Sequence, residues 1–204
     1  LMRILHLNTE RGWRGGEQQT LFLIEGQLQR GLDCVLLARL GSEIAIRAKS
    51  KGIPTRELPM QGEYDLSVPY KALQWIRRDK FTLLHAHTSH AHVYAQLAAL
   101  FSGSRRPKVI VHRRVDFSIF RRSFFGLNHF KYLYGVDRYI AVSHAIKRVL
   151  MADGLPAERI EVVHSGIDVA SIAGTCVDKA VFRRELGVPA GALLVGNVAH
   201  CADH

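Results

Sequence analysis

The sequence is poor in cysteine: it has three among 204 residues, and no two of them form a Cys-x-x-Cys pair. Cys34, Cys176 and Cys201 are odd in number and far apart, which argues against a disulfide framework and against a cysteine-rich zinc site. We expect reduced thiols that act as small apolar side chains in a cytoplasmic protein.

Long apolar runs are also missing. No segment reaches the roughly 18 apolar residues of a membrane-spanning helix. The first apolar run is too short for a signal peptide, because polar Asn8 and Thr9 follow it directly. The chain lacks internal repeats and low-complexity segments as well. With 48% hydrophobic residues it can bury a core and form one or two domains, either soluble or peripheral to a membrane.

Acidic residues are scarce in one stretch of the chain. Between Arg105 and Arg148, eleven lysines and arginines face only Asp116 and Asp137, and the formal net charge of the whole chain is +10. This concentration favours an anionic partner: a phosphorylated substrate, an anionic membrane surface or nucleic acid. A solvated basic face without a partner is the alternative.

The common nucleotide-binding motifs are absent too. No GxxxxGK[ST] sequence exists, and the glycines of the first loop, Gly12, Gly15 and Gly16, do not form GxGxxG. The second apolar run ends at Arg39 instead of an acid for a ribose, so a nicotinamide dinucleotide fits poorly. What remains is either a plain turn or a glycine loop whose N–H groups bind an anion or a sugar hydroxyl at a helix start.

Short runs rich in Val, Ile and Leu alternate with helical patterns. The runs have the length and apolar character of strands buried on both faces. They are 3–7, 34–38, 81–86, 108–112, 138–143 and 159–164, with a weaker one at 55–58. Helices are predicted at 17–31, 69–80, 91–101, 143–154 and 181–187. This order predicts an α/β fold, a Rossmann-like doubly wound parallel sheet with helices on both faces.

Four histidines cluster in 85-HAHTSHAH-92. They suggest a metal site, but they span a strand end and a helix start, and no Asp, Glu or Cys joins them. We therefore expect no metal. We expect a histidine here to face the cleft at the carboxyl edge of the sheet, where such folds bind ligands.

Another predicted strand ends in His112, and Arg113 and Arg114 follow it directly. A neutral imidazole at the sheet edge can hydrogen-bond a substrate hydroxyl, and the arginines can bind phosphate or carboxylate. An exposed basic turn without a ligand is the alternative.

Segment 117–135 mixes aromatic and basic residues. This composition suits a membrane-interface helix or a surface that stacks on single-stranded nucleic acid. A covering helix with an apolar stripe explains it equally well.

Four segments occur in an order and spacing that are specific as a set: RGGEQQ (14–19), LLHAH (83–87), VIVHRR (109–114) and the block YIAVSHAIKRVLMADGLPAERIEVVHSGID (139–168). Together they resemble the N-terminal, acceptor-side domain of the retaining GT-B glycosyltransferases of the family-four group. Ser165-Gly166 stands where Asn-Gly is usual in that family. VGNVAH (195–200) resembles the first strand of the family's donor domain.

The resemblance implies two facing Rossmann-like domains with the active site between them. Residues 1–170 would be the acceptor-binding domain, 171–190 the linker, and 191–204 the first strand of a truncated donor-binding domain. That strand is followed by no covering helix, so we expect a fragment of a longer protein. The family's nucleotide-sugar pocket and paired-glutamate motif belong to the donor domain, and we expect this fragment to be inactive alone.

The resemblance also assigns residues. His112 matches the catalytic cleft histidine that contacts the transferred sugar. Gly15, Gly16 and Glu17 would approach the donor diphosphate or the acceptor. Acceptor binding is expected from Arg14, His87, Arg113 and Arg114, and a position in the interdomain cleft from Ser143 and Gly166.

The activity implied is retaining transfer of a sugar from a UDP-, ADP- or GDP-sugar, without a cofactor or a metal. The leaving phosphate helps to deprotonate the acceptor, so no protein nucleophile is needed. If the enzyme inverts, Glu17 and Asp116 are the candidate bases. The basic region 105–148 suggests a glycan or lipid-linked acceptor of the cell envelope, such as lipopolysaccharide core, at the inner face of the membrane.

Other functions remain open. Another GT-B enzyme, such as a nucleotide-sugar epimerase or a soluble-metabolite glycosyltransferase, would share these motifs. The non-enzymatic alternative is a basic nucleic-acid-binding module. The sequence has no RRM, KH, zinc-finger or obvious helix-turn-helix signature, so we expect no nucleic-acid partner.

Overall fold

A computed structural model describes residues 2–62, 65–118, 131–174, 178–189 and 191–197. Its chain divides into two compact units, Leu1–Ser165 and Gly166–His204. The first unit is built around one seven-stranded sheet in which every pairing is parallel. The expected α/β fold, a doubly wound Rossmann-like sheet, is confirmed.

The strands and helices alternate along the chain, as the sequence pattern predicts. The strands are β1 Arg3–Asn8, β2 Asp33–Arg39, β3 Thr55–Leu58, β4 Leu83–Ala86, β5 Lys108–Arg113, β6 Arg138–Ala141 and β7 Ile160–Val162. Helices of the first unit include α1 Gly15–Gln29, α2 Glu43–Ser50, α3 Ser67–Asp79, α4 Ser89–Leu100 and α5 His144–Ala152. Helix α2 was not predicted. Segment 119–130, the larger part of the aromatic and basic stretch, lies outside the described residues.

The strand order is β3-β2-β1-β4-β5-β6-β7. The sheet first grows outward from β1 to β3, and the chain then returns to add β4 on the other side of β1. Loops that follow β1 and β4 therefore leave the sheet in opposite directions. In folds of this class, the crevice that opens between two such loops is where ligands bind.

The two faces of the sheet bury different side chains of each strand, because successive residues of a strand point to opposite sides. Helices α1 and α2 cover Ile4, Leu36 and Ala38 with Leu21 and Ile24. Helices α3, α4 and α5 cover the other face, which includes Leu5, Leu7, Leu84, Val109 and Val111. The sheet is thus apolar on both sides, which explains the continuous apolar runs in the sequence.

The second unit contains α6 Val169–Ala173 and α7 Lys179–Glu185, and aspartates cap the first turns of both helices. The segment expected to be a strand, 191–204, forms none over its described residues 191–197, where Leu193 is 91% exposed. A strand needs a neighbour to take up its backbone hydrogen bonds, and no described strand pairs with this segment. Its place in a donor domain, and the linker at 171–190, remain predictions.

Replacement of Ile24 by Ala should lower the free energy of unfolding by about 2–5 kcal/mol, because the side chain is fully buried between α1 and the sheet. Ile46→Ala is the matched control, since Ile46 is also helical but 56% exposed. Its effect should stay within about 0.5 kcal/mol. Urea unfolding followed by circular dichroism measures both, and equal losses would contradict the packing described here.

Candidate active-site cleft

A cleft of about 390 Å³ opens at the carboxyl edge of the sheet, above β1, β4 and β5. Its walls come from the loop after β1 with the first turn of α1, the loop between β4 and α4, the end of β5, and Tyr132. The lining residues are Glu10, Arg14, Gly16, Glu17, His87, Thr88, Ser89, His92, Val111, His112, Arg113, Arg114, Val115, Phe117 and Tyr132. Seven of the expected site residues thus line one cleft: Arg14, Gly16, Glu17, His87, His112, Arg113 and Arg114.

The loop after β1 is fixed by Glu17, in the first turn of α1. The residue is 4% exposed, and its carboxylate accepts hydrogen bonds from the Asn8 side-chain amide at 3.2 Å and from the Arg14 backbone N–H at 3.1 Å. A negative charge is also stabilised at the positive end of a helix. Both carboxylate oxygens hold the loop in shape, which is a structural task for Glu17.

A second contact joins this loop to the next one along the sheet edge. The hydroxyls of Thr9 and Thr88 lie 2.7 Å apart, and Thr88 also accepts a hydrogen bond from the Ala91 N–H at the start of α4. The loops after β1 and β4 are therefore held together at the point where the strand order reverses. Sequence reasoning missed Thr88, although a threonine before a helix is a usual N-cap.

Arg114 lies across the floor of this cleft. One terminal nitrogen donates to the His87 carbonyl at 3.0 Å, and the other lies 3.3 Å from His87 Nδ1 and 3.4 Å from the Thr20 hydroxyl. The Arg114 side chain passes Gly16, where a Cβ atom would lie 3.6 Å from Arg114 Cδ. Burial lowers the pKa of Arg114 to about 10, opposed by Glu17, so the guanidinium stays charged at neutral pH.

Four histidine rings lie side by side: His6, His85 and His112 on three neighbouring strands, and His87 directly after β4. His6 of β1 pairs in register with His85 of β4, and the rings of His85 and His87 stack with centroids 4.2 Å apart. His112 of β5 stacks on His85 at 5.6 Å. Burial lowers the pKa of His6 to about 4 and that of His112 to about 3, and holds the pKa of His85 and His87 well below the usual value. All four imidazoles are therefore neutral at physiological pH.

This histidine group has some of the geometry of a metal site. One ring nitrogen from each of His6, His85 and His87 lies within 4.8 Å of the others. Both nitrogens of His87 are already engaged, however, with Arg114 on one side and His6 on the other. A cation here would lie beside the Arg114 charge, and the group includes no carboxylate to offset it. The residues fit a metal poorly, and its absence stays a prediction.

His112 is the histidine of the group best placed to meet a ligand. It lines the cleft, and neither of its ring nitrogens has a hydrogen-bond partner within the part of the chain that the structure describes. A buried polar group without a partner loses about 1–3 kcal/mol of hydrogen bonding. A neutral imidazole in this position can donate to or accept from a sugar hydroxyl.

Arg113 has a different environment from Arg114, although the two are adjacent in sequence. It is 8% exposed, and its guanidinium donates to the Tyr132 hydroxyl at 2.9 Å and to the Phe117 carbonyl at 2.7 Å. Arg113 is the last residue of β5, and Arg114 begins the loop that follows it, where its guanidinium contacts His87 and Thr20 instead. Arg113 lines the cleft but uses its donors mainly to hold the chain after β5.

The remaining expected site residues do not line this cleft. Gly15 starts α1 and has open space around it, but it does not line the cleft. Ser143 caps α5 by accepting a hydrogen bond from the Ile146 N–H at 3.2 Å. Gly166 is exposed and begins the second unit. Asp116 is exposed and does not line the cleft either. The interdomain role expected of Ser143 and Gly166 stays a prediction.

The family model described as Glycosyltransferase Family 4 matches residues 13–171. This range includes the first turn of α1, the histidine group apart from His6, and both arginines after β5. A search of curated protein sequences finds no match.

Solved structures share the fold. HepE from Anabaena, solved with UDP-glucose, is 18% identical with a TM-score of 0.72; the match covers 92% of this chain and 50% of HepE. A glycosyltransferase from Rickettsia africae is 14% identical with a TM-score of 0.76, covering 93% and 50%. WaaB, described as a lipopolysaccharide outer core galactosyltransferase, is 18% identical with a TM-score of 0.64, covering 82% and 47%. The chain thus spans about half the length of these proteins.

The buried histidines should make the protein less stable as the pH falls from 6.5 towards 5. Unfolded histidines take up protons near pH 6.5, whereas the folded ones have a lowered pKa and stay neutral, so protonation favours the unfolded state. Each such histidine should add about 1.4 kcal/mol per pH unit to the slope of the free energy of unfolding against pH. Urea unfolding at several pH values measures it, and His85→Phe should remove about one histidine's share. A flat profile over this range would contradict neutral buried rings.

Proposed function

The chain belongs to Glycosyltransferase Family 4, and we propose that it is the acceptor-side half of a two-domain enzyme that transfers a sugar from a nucleotide-sugar donor. The observation that carries this proposal is the cleft at the carboxyl edge of β1, β4 and β5. It combines a fixed cation, Arg114, with a neutral imidazole, His112, and with the first turn of α1. A diphosphate needs positive charge, and a sugar needs hydrogen-bonding groups of both kinds.

The donor that we propose is a UDP-sugar. HepE, which shares the fold over most of this chain, has been solved with UDP-glucose. In this chain the donor diphosphate would meet the positive side of the cleft, at Arg114 and at the N–H groups of Gly16 and Glu17 in the first turn of α1. Those N–H groups have no acceptor inside their own helix, which suits an anion.

The acceptor that we propose is a phosphorylated or lipid-linked glycan of the cell envelope, reached from the cytoplasmic side. The charge supports it: the chain carries a net +10, concentrated between residues 105 and 148. WaaB, a structural neighbour, is described as a lipopolysaccharide core galactosyltransferase. Among the described residues, no helix is long and apolar enough to span a membrane. Contact with lipid would therefore be peripheral through these residues, with Arg14 and His87 nearest the acceptor.

The mechanism that we propose is retaining transfer without a protein base. The two candidate bases support this choice by their environments: Glu17 uses both oxygens to hold its loop, and Asp116 is exposed outside the cleft lining. Arg114 would stabilise the charge that develops on the leaving diphosphate, and His112 would orient the transferred sugar through its hydroxyl groups. No step needs a metal or a cofactor.

Replacement of His112 by Ala should reduce turnover by about 100-fold or more, because a preorganised hydrogen bond to the reacting sugar is lost. The proposed two-domain enzyme, called the extended protein below, is assayed for release of UDP and for the stereochemistry of the product. His144→Ala is the control, since His144 is exposed at the start of α5 and outside the cleft lining. Full activity of the His112 variant would contradict the proposal, as would an epimerised sugar nucleotide as the product.

Replacement of Gly16 by Val should also reduce turnover, by about tenfold, while stability changes by less than about 1 kcal/mol. A Cβ at this position makes an ordinary contact with Arg114, but the branched methyls would enter the space where the diphosphate is expected. Gly12→Val is the matched control in the same loop, where nothing lies within 4 Å. If Gly16→Val and Gly12→Val had similar kinetics, the loop would be a plain turn without a role in binding the diphosphate. Thermal unfolding measures stability in parallel.

A further inference from the structure

Arg114 is connected to the interior of the sheet by consecutive hydrogen bonds. Its guanidinium contacts His87 twice, at the carbonyl and at Nδ1. The other ring nitrogen of His87, Nε2, lies 3.0 Å from Nδ1 of His6. His6 is fully buried on the central strand β1 and does not line the cleft. We call these three side chains the Arg114 relay.

The chemistry of the three groups allows one proton arrangement. A guanidinium has only donors, so Nδ1 of His87 must accept from Arg114. A neutral imidazole carries one proton, which then sits on Nε2 of His87 and is donated to Nδ1 of His6. His6 must in turn carry its own proton on Nε2. The relay therefore fixes the tautomer of both histidines, and Arg114 is the donor in its hydrogen bond to Nδ1 of His87.

We propose that His6 and His87 are positioning residues that hold Arg114 in one orientation as the binding group of the cleft for a diphosphate. An unrestrained arginine has many rotamers, and ordering it on binding would weaken affinity. In the relay that ordering is complete before the ligand arrives. The inference rests on the proposed function for the identity of the ligand, but the relay itself does not depend on which substrate bears the diphosphate.

The neighbouring histidine His85 provides a matched control. It is buried like His6, pairs with it across the sheet and stacks on His87. Its Nε2, like that of His6, has no hydrogen-bond partner among the described residues, but no hydrogen bond there joins His85 to His87, as one joins His6. Removal of its ring nitrogens should leave the relay intact. His6→Phe and His85→Phe each delete the ring nitrogens of a buried histidine. Only His6→Phe deletes an acceptor that His87 uses.

The first experiment determines the tautomers directly. Two-bond ¹H–¹⁵N correlation spectra of this chain at pH 7, with labelled histidine, should show both His6 and His87 protonated at Nε2. His6→Phe removes the acceptor of the His87 Nε2–H, so the ¹⁵N shifts of His87 should move towards those of a ring that exchanges between tautomers, whereas His85→Phe should leave them unchanged. An Nδ1–H tautomer of His87 in the unchanged protein would overturn the proposal.

The second experiment measures binding of inorganic pyrophosphate by calorimetry, with thermal unfolding in parallel to show that each variant is folded. His6→Phe should weaken binding about tenfold, the loss expected when a charged hydrogen bond is misaligned. His85→Phe should change it less than about twofold. His6→Asn, which returns an acceptor oxygen near the position of Nδ1, should recover most of the affinity. Equal affinity in His6→Phe, or no pyrophosphate binding by the unchanged chain, would overturn the proposal.

Two further outcomes separate this inference from its alternatives. Stoichiometric binding of Zn²⁺ that His6→Asn abolishes would make the group a metal site and overturn the relay. If the extended protein transfers no sugar while pyrophosphate affinity still depends on His6, the proposed function fails and the relay stands. If the extended protein transfers sugar, and its His6→Phe variant has the same kcat and KM, the relay fails and the proposed function stands.

Discussion

The parallel pairing of β1 with β4 is the constraint on which the rest of the site depends. It creates the point where the strand order reverses, and the loops after these two strands part there to leave a cleft. The same pairing puts His6 opposite His85 and brings His87 to the edge beside Arg114. One set of backbone hydrogen bonds thus forms both the opening for a ligand and the floor beneath it.

Electrostatics at this floor follow from burial. Imidazoles inside the sheet layer lose their protons readily because charged rings would be poorly solvated there, and the low pKa of His6 and His112 expresses this. Neutral rings can lie beside a charged guanidinium without repulsion and can accept its hydrogen bonds. The positive charge of the cleft is therefore carried by its arginines, Arg14, Arg113 and Arg114, and not by the histidines.

The glycine-rich loop after β1 gains its shape from an acid. Glu17 bonds to Asn8 and to the backbone of Arg14, which turns the chain from β1 into α1. Gly16 then admits the Arg114 side chain close to the first turn of the helix. Of the glycine pair, only Gly16 lines the cleft, so the loop brings backbone and guanidinium together at one position.

The sequence by itself determined the fold class and most strand positions, because strands buried on both faces must be apolar throughout. It also indicated His87, His112 and Arg114, since each stands where a predicted strand ends. It did not reveal α2, a helix of only eight residues, or the part played by His6, which lies within an apolar run. Tertiary structure decided those points, because the pairing register selects which side chains meet across strands, and because Arg113 and Arg114, although adjacent, contact different residues once β5 ends between them.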